Sequence, residues 1–113
     1  MDALFIELPP FERHCAEYFS DDDFKAFQQM LLHNPCAGDV IRGAGGLRKI
    51  RFADPRRNKG KRGGIRVIYY WYAEKSHFLL FTLYDKEQQD DLTAHQRNIL
   101  SHLLEQAKQR IIR

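Results

Sequence analysis

Residues 47–52 read Leu47-Arg48-Lys49-Ile50-Arg51-Phe52, and residues 65–72 read Ile65-Arg66-Val67-Ile68-Tyr69-Tyr70-Trp71-Tyr72. Side chains alternate across a strand. In the first run Arg48, Ile50 and Phe52 therefore share one face, and Leu47, Lys49 and Arg51 share the other. Ile50 and Phe52 mark the core side, which leaves Lys49 and Arg51 facing outward together. The second run is a strand by its β-branched and aromatic content. Between the two, Asp54 to Gly64 carries one proline, three glycines and five basic residues, the composition of a basic loop. Ala73 to Ser76 is polar enough for a hairpin turn, though without glycine, and His77 to Tyr84 is the return strand. Pairing of the first two strands across the basic loop would bring Lys49, Arg51 and Arg66 onto one sheet surface. Tyr70 and Tyr72 follow Arg66 on its own face at period two.

Toward the N-terminus, Leu4-Phe5-Ile6 is a short strand that Pro9-Pro10 ends. Phe11 to Phe19 forms a short helix with Phe11, Cys15, Tyr18 and Phe19 on one face. Ser20 is an N-cap, and Asp21, Asp22 and Asp23 follow in the first turn, where the helix dipole favours negative charge. Phe24, Phe27, Met30 and Leu31 recur at helical spacing. Asn34-Pro35 stops that helix, because the residue before proline avoids the α region. Gly38 to Gly46 is a glycine-bearing connection. Toward the C-terminus, Thr93 and Gln96 form a capping box. Leu100, Leu103, Leu104, Ala107 and Ile111 make the apolar stripe of the last helix. The expected architecture is α+β: a small, largely antiparallel sheet with an N-terminal helix pair and a C-terminal helix. Residues 1–113 are expected to form one domain.

Charge is concentrated rather than spread. Ten of the eighteen lysines and arginines lie between Arg42 and Arg66, with Asp54 the lone acid among them. That window carries +9 and the remainder −6, although the whole chain is only +3. Such a patch is the footprint of a phosphate-backbone binder. No apolar run approaches the length of a membrane span. The acids Asp2 and Glu7 replace the basic start of a signal peptide. Cys15 and Cys36 are not in a CxxC pair and suit free thiols in a reducing cytoplasm. A cytoplasmic protein is expected.

Several chemistries are excluded by spacing. Pro55 stands where a Walker A glycine is needed before Gly60, and Lys61 is followed by Arg62 rather than Ser or Thr. Gly43 to Gly46 does not lie between a strand and a helix, so its glycines serve backbone conformation. The histidines at 14, 33, 77, 95 and 102 are scattered, and no metal or cofactor is expected. His95, Arg97, His102 and Glu105 suit a helix surface. No nucleophile elbow is present. The candidate site is the cationic face: Lys49, Arg51 and Arg66, with Arg48, Lys59, Lys61, Arg62 and Tyr70 as RNA contacts. Tyr84 and Lys86 close the last strand beside it, where they would assist acid–base chemistry. A sheet bearing arginine, lysine and tyrosine holds phosphates and stacks bases.

The stretch Asp39-Val40-Ile41-Arg42-Gly43-Ala44-Gly45-Gly46-Leu47-Arg48-Lys49-Ile50-Arg51 resembles the RelE/ParE toxin superfamily, particularly its HigB-like branch. So do Gly60 to Tyr70 and Tyr84 to Leu92. The resemblance implies a RelE-like microbial ribonuclease fold and the toxin of a bacterial type II toxin–antitoxin pair. It implies a ribosome-dependent endoribonuclease, an mRNA interferase that inhibits translation without a metal. The substrate's own 2′-OH attacks the neighbouring phosphate and leaves a 2′,3′-cyclic phosphate. Implied partners are the ribosome, mRNA and a HigA-like antitoxin with a DNA-binding domain, and no membrane. The family's cationic site falls on Lys49, Arg51 and Arg66, with Lys86 matching a lysine of the HigB branch. Arg51 stands where RelE itself has lysine. Asp85 stands where a small residue is usual and puts an acid near the site. On this reading Arg51 and Arg66 stabilise the phosphate. Lys49 is the candidate base, because neighbouring Arg48, Arg51 and Arg66 disfavour its protonated form. Two other readings use the same residues. One is a ParE-like poison of DNA gyrase; the other is a non-catalytic RNA-binding module.

Overall fold

A computed structural model describes residues 2–52 and 64–112 of the chain. Its elements run β1 (Leu4–Glu7), α1 (Pro9–Tyr18), α2 (Asp21–His33), β2 (Asp39–Val40), β3 (Arg48–Phe52), β4 (Ile65–Tyr72), β5 (His77–Asp85) and α3 (Ala94–Ile112). The five strands form one sheet in the order β1-β5-β4-β3-β2. Only β1 runs parallel to its neighbour; the other pairings are antiparallel. This is the α+β arrangement the hydrophobic pattern implies. The addition is β2, a two-residue strand that turns the glycine-bearing connection into a hairpin with β3.

Local chemistry explains where the helices begin. The two prolines open α1, where a missing N–H costs nothing. Ser20 caps α2: its Oγ accepts from the Asp23 N–H at 3.1 Å, and Asp23 Oδ2 accepts from the Ser20 N–H at 3.1 Å. Thr93 and Gln96 do the same for α3, at 3.0 Å and 2.9 Å. Gly43, Gly45 and Gly46 all adopt positive φ in the β2–β3 connection. At Gly46 (φ 110°) a Cβ would also lie 3.1 Å from the Tyr70 ring. The glycines are there for the turn. Ser76 takes the left-handed conformation, φ 53°, that closes the β4–β5 hairpin in place of a glycine.

Each face of the sheet has its own core. On one face Phe11, Tyr18, Phe19, Phe27 and Leu31 of the helix pair and its junction pack on Ile50, Ile65, Val67, Tyr69, Phe78, Leu80 and Leu83. Phe52 meets Phe19 and Phe27 edge-on, with centroids 5.4 and 5.7 Å apart. On the other face Leu92, Leu100 and Leu104 pack on Leu47, Ile68, Leu79, Phe81 and Tyr84. Strand β5 changes phase between these cores. Its register with β4 slips so that Ile68 pairs Thr82 but Tyr69 pairs Leu80, leaving Phe81 as the extra residue of a bulge. Strict alternation from Leu79 would send Leu83 to the α3 side and Tyr84 to the α1/α2 side. The bulge reverses both.

Candidate functional site

Antiparallel pairing of β3 and β4 sets Arg51 directly opposite Arg66, and pairing of β4 and β5 sets Arg66 opposite Tyr84. The three side chains form one row across the sheet on its α3 face. Directly opposed residues stand about 5 Å apart, so the two guanidinium groups and the phenol are neighbours by construction. Lys49 lies one pleat along, on the same face of β3. Three of the cations expected to converge are thus brought to one surface, and Tyr84 joins them.

Beside the row is an open cleft of about 420 Å³ lined by Asp39, Ile41, Arg42, Lys49, Arg51, Asp91 and Arg97, among others. Its walls are β3, the β2–β3 connection and the start of α3. Lys49 and Arg51 reach it from the sheet. Arg66 lies deeper, only 3% exposed, and its Nη1 donates to the Gly64 carbonyl at 3.0 Å. Burial is the largest influence drawing the Arg66 pKa down from its ordinary value, with the adjacent Arg51 charge acting the same way; Tyr84 and Asp90 oppose them. An arginine begins so high that it keeps its charge. Buried cations aimed at one place are what a phosphate gaining negative charge requires.

Tyr84 is buried, with its hydroxyl close to the Asp91 carboxylate. Its pKa is pushed up to about 12, first by burial and next by the charge of Asp91, against the pull of Arg66. The phenol therefore holds its proton at physiological pH and is available as a donor.

Asp91 and Arg97 are among the cleft residues that the sequence did not assign to the site. Asp91, in the connection between β5 and α3, accepts from Lys49 Nζ at 3.1 Å and from the Leu92 N–H at 2.7 Å. Burial works to raise its pKa. The Leu92 hydrogen bond, then the hydrogen bond and charge of Lys49 and the charge of Arg97, outweigh burial and set it below the ordinary value. Arg97 lines the cleft from the first turns of α3 and reaches back to the Leu92 carbonyl at 3.4 Å. Neither could be placed from spacing. They enter through the path of residues 86–93, which no periodicity encodes. The one available signal was the Thr93 cap, which fixes where the helix starts.

The remaining expected site residues are placed apart. Arg48 points to the opposite face, where its Nη1 donates to the Gly38 and Cys36 carbonyls at 2.8 and 3.3 Å. Lys49 is therefore not ringed by cations alone, as its expected role as base required. It has Asp91 on one side and lacks Arg48 on the other. Tyr70 sits further along β4 beneath the far part of α3, with Lys108 Nζ 5.1 Å from its ring centre. Lys86 turns toward Asp90, at 4.0 Å. Asp85 is fully buried, and its Oδ1 accepts from the Glu87 N–H at 2.9 Å. Lys59, Lys61 and Arg62, with nearly all of the basic loop, lie outside the described residues. Among the described residues no cluster of His, Cys, Asp and Glu is arranged to hold a metal ion, and no helix is long and apolar enough to cross a membrane.

No protein-family model matches the chain. Solved structures do. E. coli toxin RelE in the free state, as a double-arginine mutant, matches with a TM-score of 0.56 and 18% identity over 80% of this chain and 90% of that one. The intact E. coli RelBE toxin–antitoxin complex matches at 0.53 with 16% identity over 74% of this chain and 96% of that one. The isolated E. coli RelE toxin matches at 0.54 with 14% identity, covering 97% of this chain and 99% of that one. At such identities the likeness is one of backbone architecture, and the conclusion it carries is that this chain has the RelE toxin fold.

Proposed function

We propose that the chain is a RelE-type toxin of a toxin–antitoxin pair and acts as a ribosome-dependent, metal-independent mRNA endoribonuclease. The observation that carries this reading is the row Arg51–Arg66–Tyr84 with Lys49 beside it. It joins cations that accept a phosphodiester to a protonated hydroxyl. In the reaction the 2′-hydroxyl of one nucleotide gives its proton to water in the open cleft, its oxygen forms a bond to the adjacent phosphorus, and the bond to the 5′-oxygen of the next nucleotide breaks; that oxygen takes a proton from Tyr84, which regains one from water. Products are a 2′,3′-cyclic phosphate and a free 5′-hydroxyl. Lys49 and Arg51 take the phosphate from the open cleft. Arg66 supplies fixed positive charge behind it, where a low dielectric makes that charge most effective. Tyr84 donates its proton toward the leaving 5′-oxygen. The match to a toxin bound by its antitoxin supports an antitoxin partner for this chain as well. A HigA-like identity for it rests on the sequence resemblance.

The test is expression of wild type and Arg66→Ala from a tight promoter, followed by mapping of mRNA 5′ ends. Translation-dependent cuts that vanish in the variant are expected. Growth arrest without such cuts would replace this reading with gyrase poisoning, and RNA binding that survives Arg66→Ala with no toxicity would leave a non-catalytic module.

A further inference from the structure

The cleft that faces substrate already holds an anion of its own. Four cationic residues line it, Arg42, Lys49, Arg51 and Arg97, together with two acids, Asp39 and Asp91. Among the described residues Lys49 is the cleft cation that an acid has claimed, through the 3.1 Å bond to Asp91. Asp39 also stands opposite Lys49 in the β2–β3 register, yet makes no ion pair among the described residues. The same carboxylate oxygen, Asp91 Oδ1, also accepts from the Leu92 N–H at 2.7 Å, which fixes it beside the lysine. A carboxylate and a phosphodiester ask the same thing of an ammonium group: a charge-assisted hydrogen bond to an anionic oxygen. Both cannot use Lys49 fully at once. The pair is also weak enough to open, because Asp91 keeps about half its side-chain surface exposed (55%) and Lys49 about a quarter (28%). Exposed ion pairs contribute little and are readily exchanged.

From this geometry we infer that Asp91 is a built-in competitor for the phosphate seat, a counter-ion that substrate phosphodiester displaces from Lys49 on binding. The inference rests on the proposed ribonuclease reading for the identity of the displacing anion. It makes the free protein a poor binder of loose RNA and reserves tight engagement for a strand presented in the right place. The displaced carboxylate keeps its bond to the Leu92 N–H and remains near Arg97, so that opening the pair does not strand a charge.

The probe is a dinucleotide whose attacking 2′-hydroxyl is replaced by hydrogen, so that it binds without being cut. Its affinity is measured at low salt for wild type, Asp91→Asn, Asp39→Asn, Lys49→Gln and the double variant Asp91→Asn/Lys49→Gln, all confirmed folded by thermal melts. Asparagine retains the oxygen that accepts from Leu92 and Lys49 but carries no charge, so it removes the anion that competes for the lysine. Asp91→Asn is expected to bind about two- to fivefold tighter than wild type, the range an exposed pair can supply. Asp39→Asn, which removes the same charge without freeing Lys49, is expected to gain less. In the Lys49→Gln background the Asp91→Asn gain should disappear. Equal gains from the two aspartate variants, an undiminished gain without Lys49, or no gain at all would each overturn the inference. The outcome is separable from the functional reading. Loss of the competition with mRNA cleavage intact rejects the counter-ion alone, and competition without cleavage in cells rejects the ribonuclease alone.

Discussion

At the scale of single residues, the proposed reaction divides roles between groups that meet the ligand and groups that hold their proton or charge for it. Tyr84 is proposed to belong to the second kind, keeping its proton for a leaving oxygen. Tyr84→Phe removes that proton and should slow cleavage by about 100-fold, as loss of a general acid does, measured as the rate of appearance of cut mRNA in a translating extract. The same residue leaves a mark on stability. Its folded pKa, about 12, lies above its unfolded value near 10. Its contribution is therefore fully present below about pH 10 and is lost as pH rises toward 12. Alkaline melts of Tyr84→Phe should fall less steeply through that window than those of wild type. The alternation of residues 47–52 already announced the shared face of Lys49 and Arg51, because a strand's period fixes it. Asp91 was not legible in that way. Its place depends on a turn between elements, and turns are specified by contacts distant in sequence.

The same division holds for whole elements. The capped and proline-bounded helices could be read from the chain, since their start and stop signals are local. Strand β2 could not, being two residues long and defined only by its partner β3. The tie that fixes it is also non-local. Tyr69 of β4 accepts from the Gly38 N–H at 3.0 Å and donates to the Pro35 carbonyl at 2.8 Å. Arg48 of β3 meets the same connection from beside it. Together they anchor the segment between α2 and β2, and so one wall of the cleft. Tyr69→Phe would leave a buried donor at Gly38 without its acceptor. The expected loss is roughly 1–3 kcal/mol of folding stability, read from urea unfolding. Arg42 and Asp39 amide exchange should rise more than exchange in α3.

For the molecule as a whole, the sequence showed that charge was gathered and roughly where, and the fold shows which surface that gathering occupies. The +9 window of the sequence supplies β3, the start of β4 and the connection before them. The acidic remainder includes the first turn of α2, with Asp21, Asp22 and Asp23. Binding of single-stranded RNA should weaken with salt in proportion to the phosphates engaged, with a slope of about −0.7 per contact. Engagement of Lys49, Arg51 and Arg66 together predicts a slope near −2, by that constant, for a short uncleavable RNA. Replacing Arg51 by glutamine should flatten it by about 0.7. A slope unchanged by that replacement would place the phosphates elsewhere on the basic surface.

The extra residue in β5 ties these scales together. Phe81 pairs with nothing across the ladder, and the bulge around it absorbs the odd residue, so that Tyr84 still stands beside Arg66. Losing that one codon, with the reading frame intact, would leave a regular ladder and the same partners, Thr82 with Ile68 and Tyr84 with Arg66. What would be lost is a fully buried ring from the core beneath α3. The strand can therefore shed a residue at this point without disturbing the cationic row.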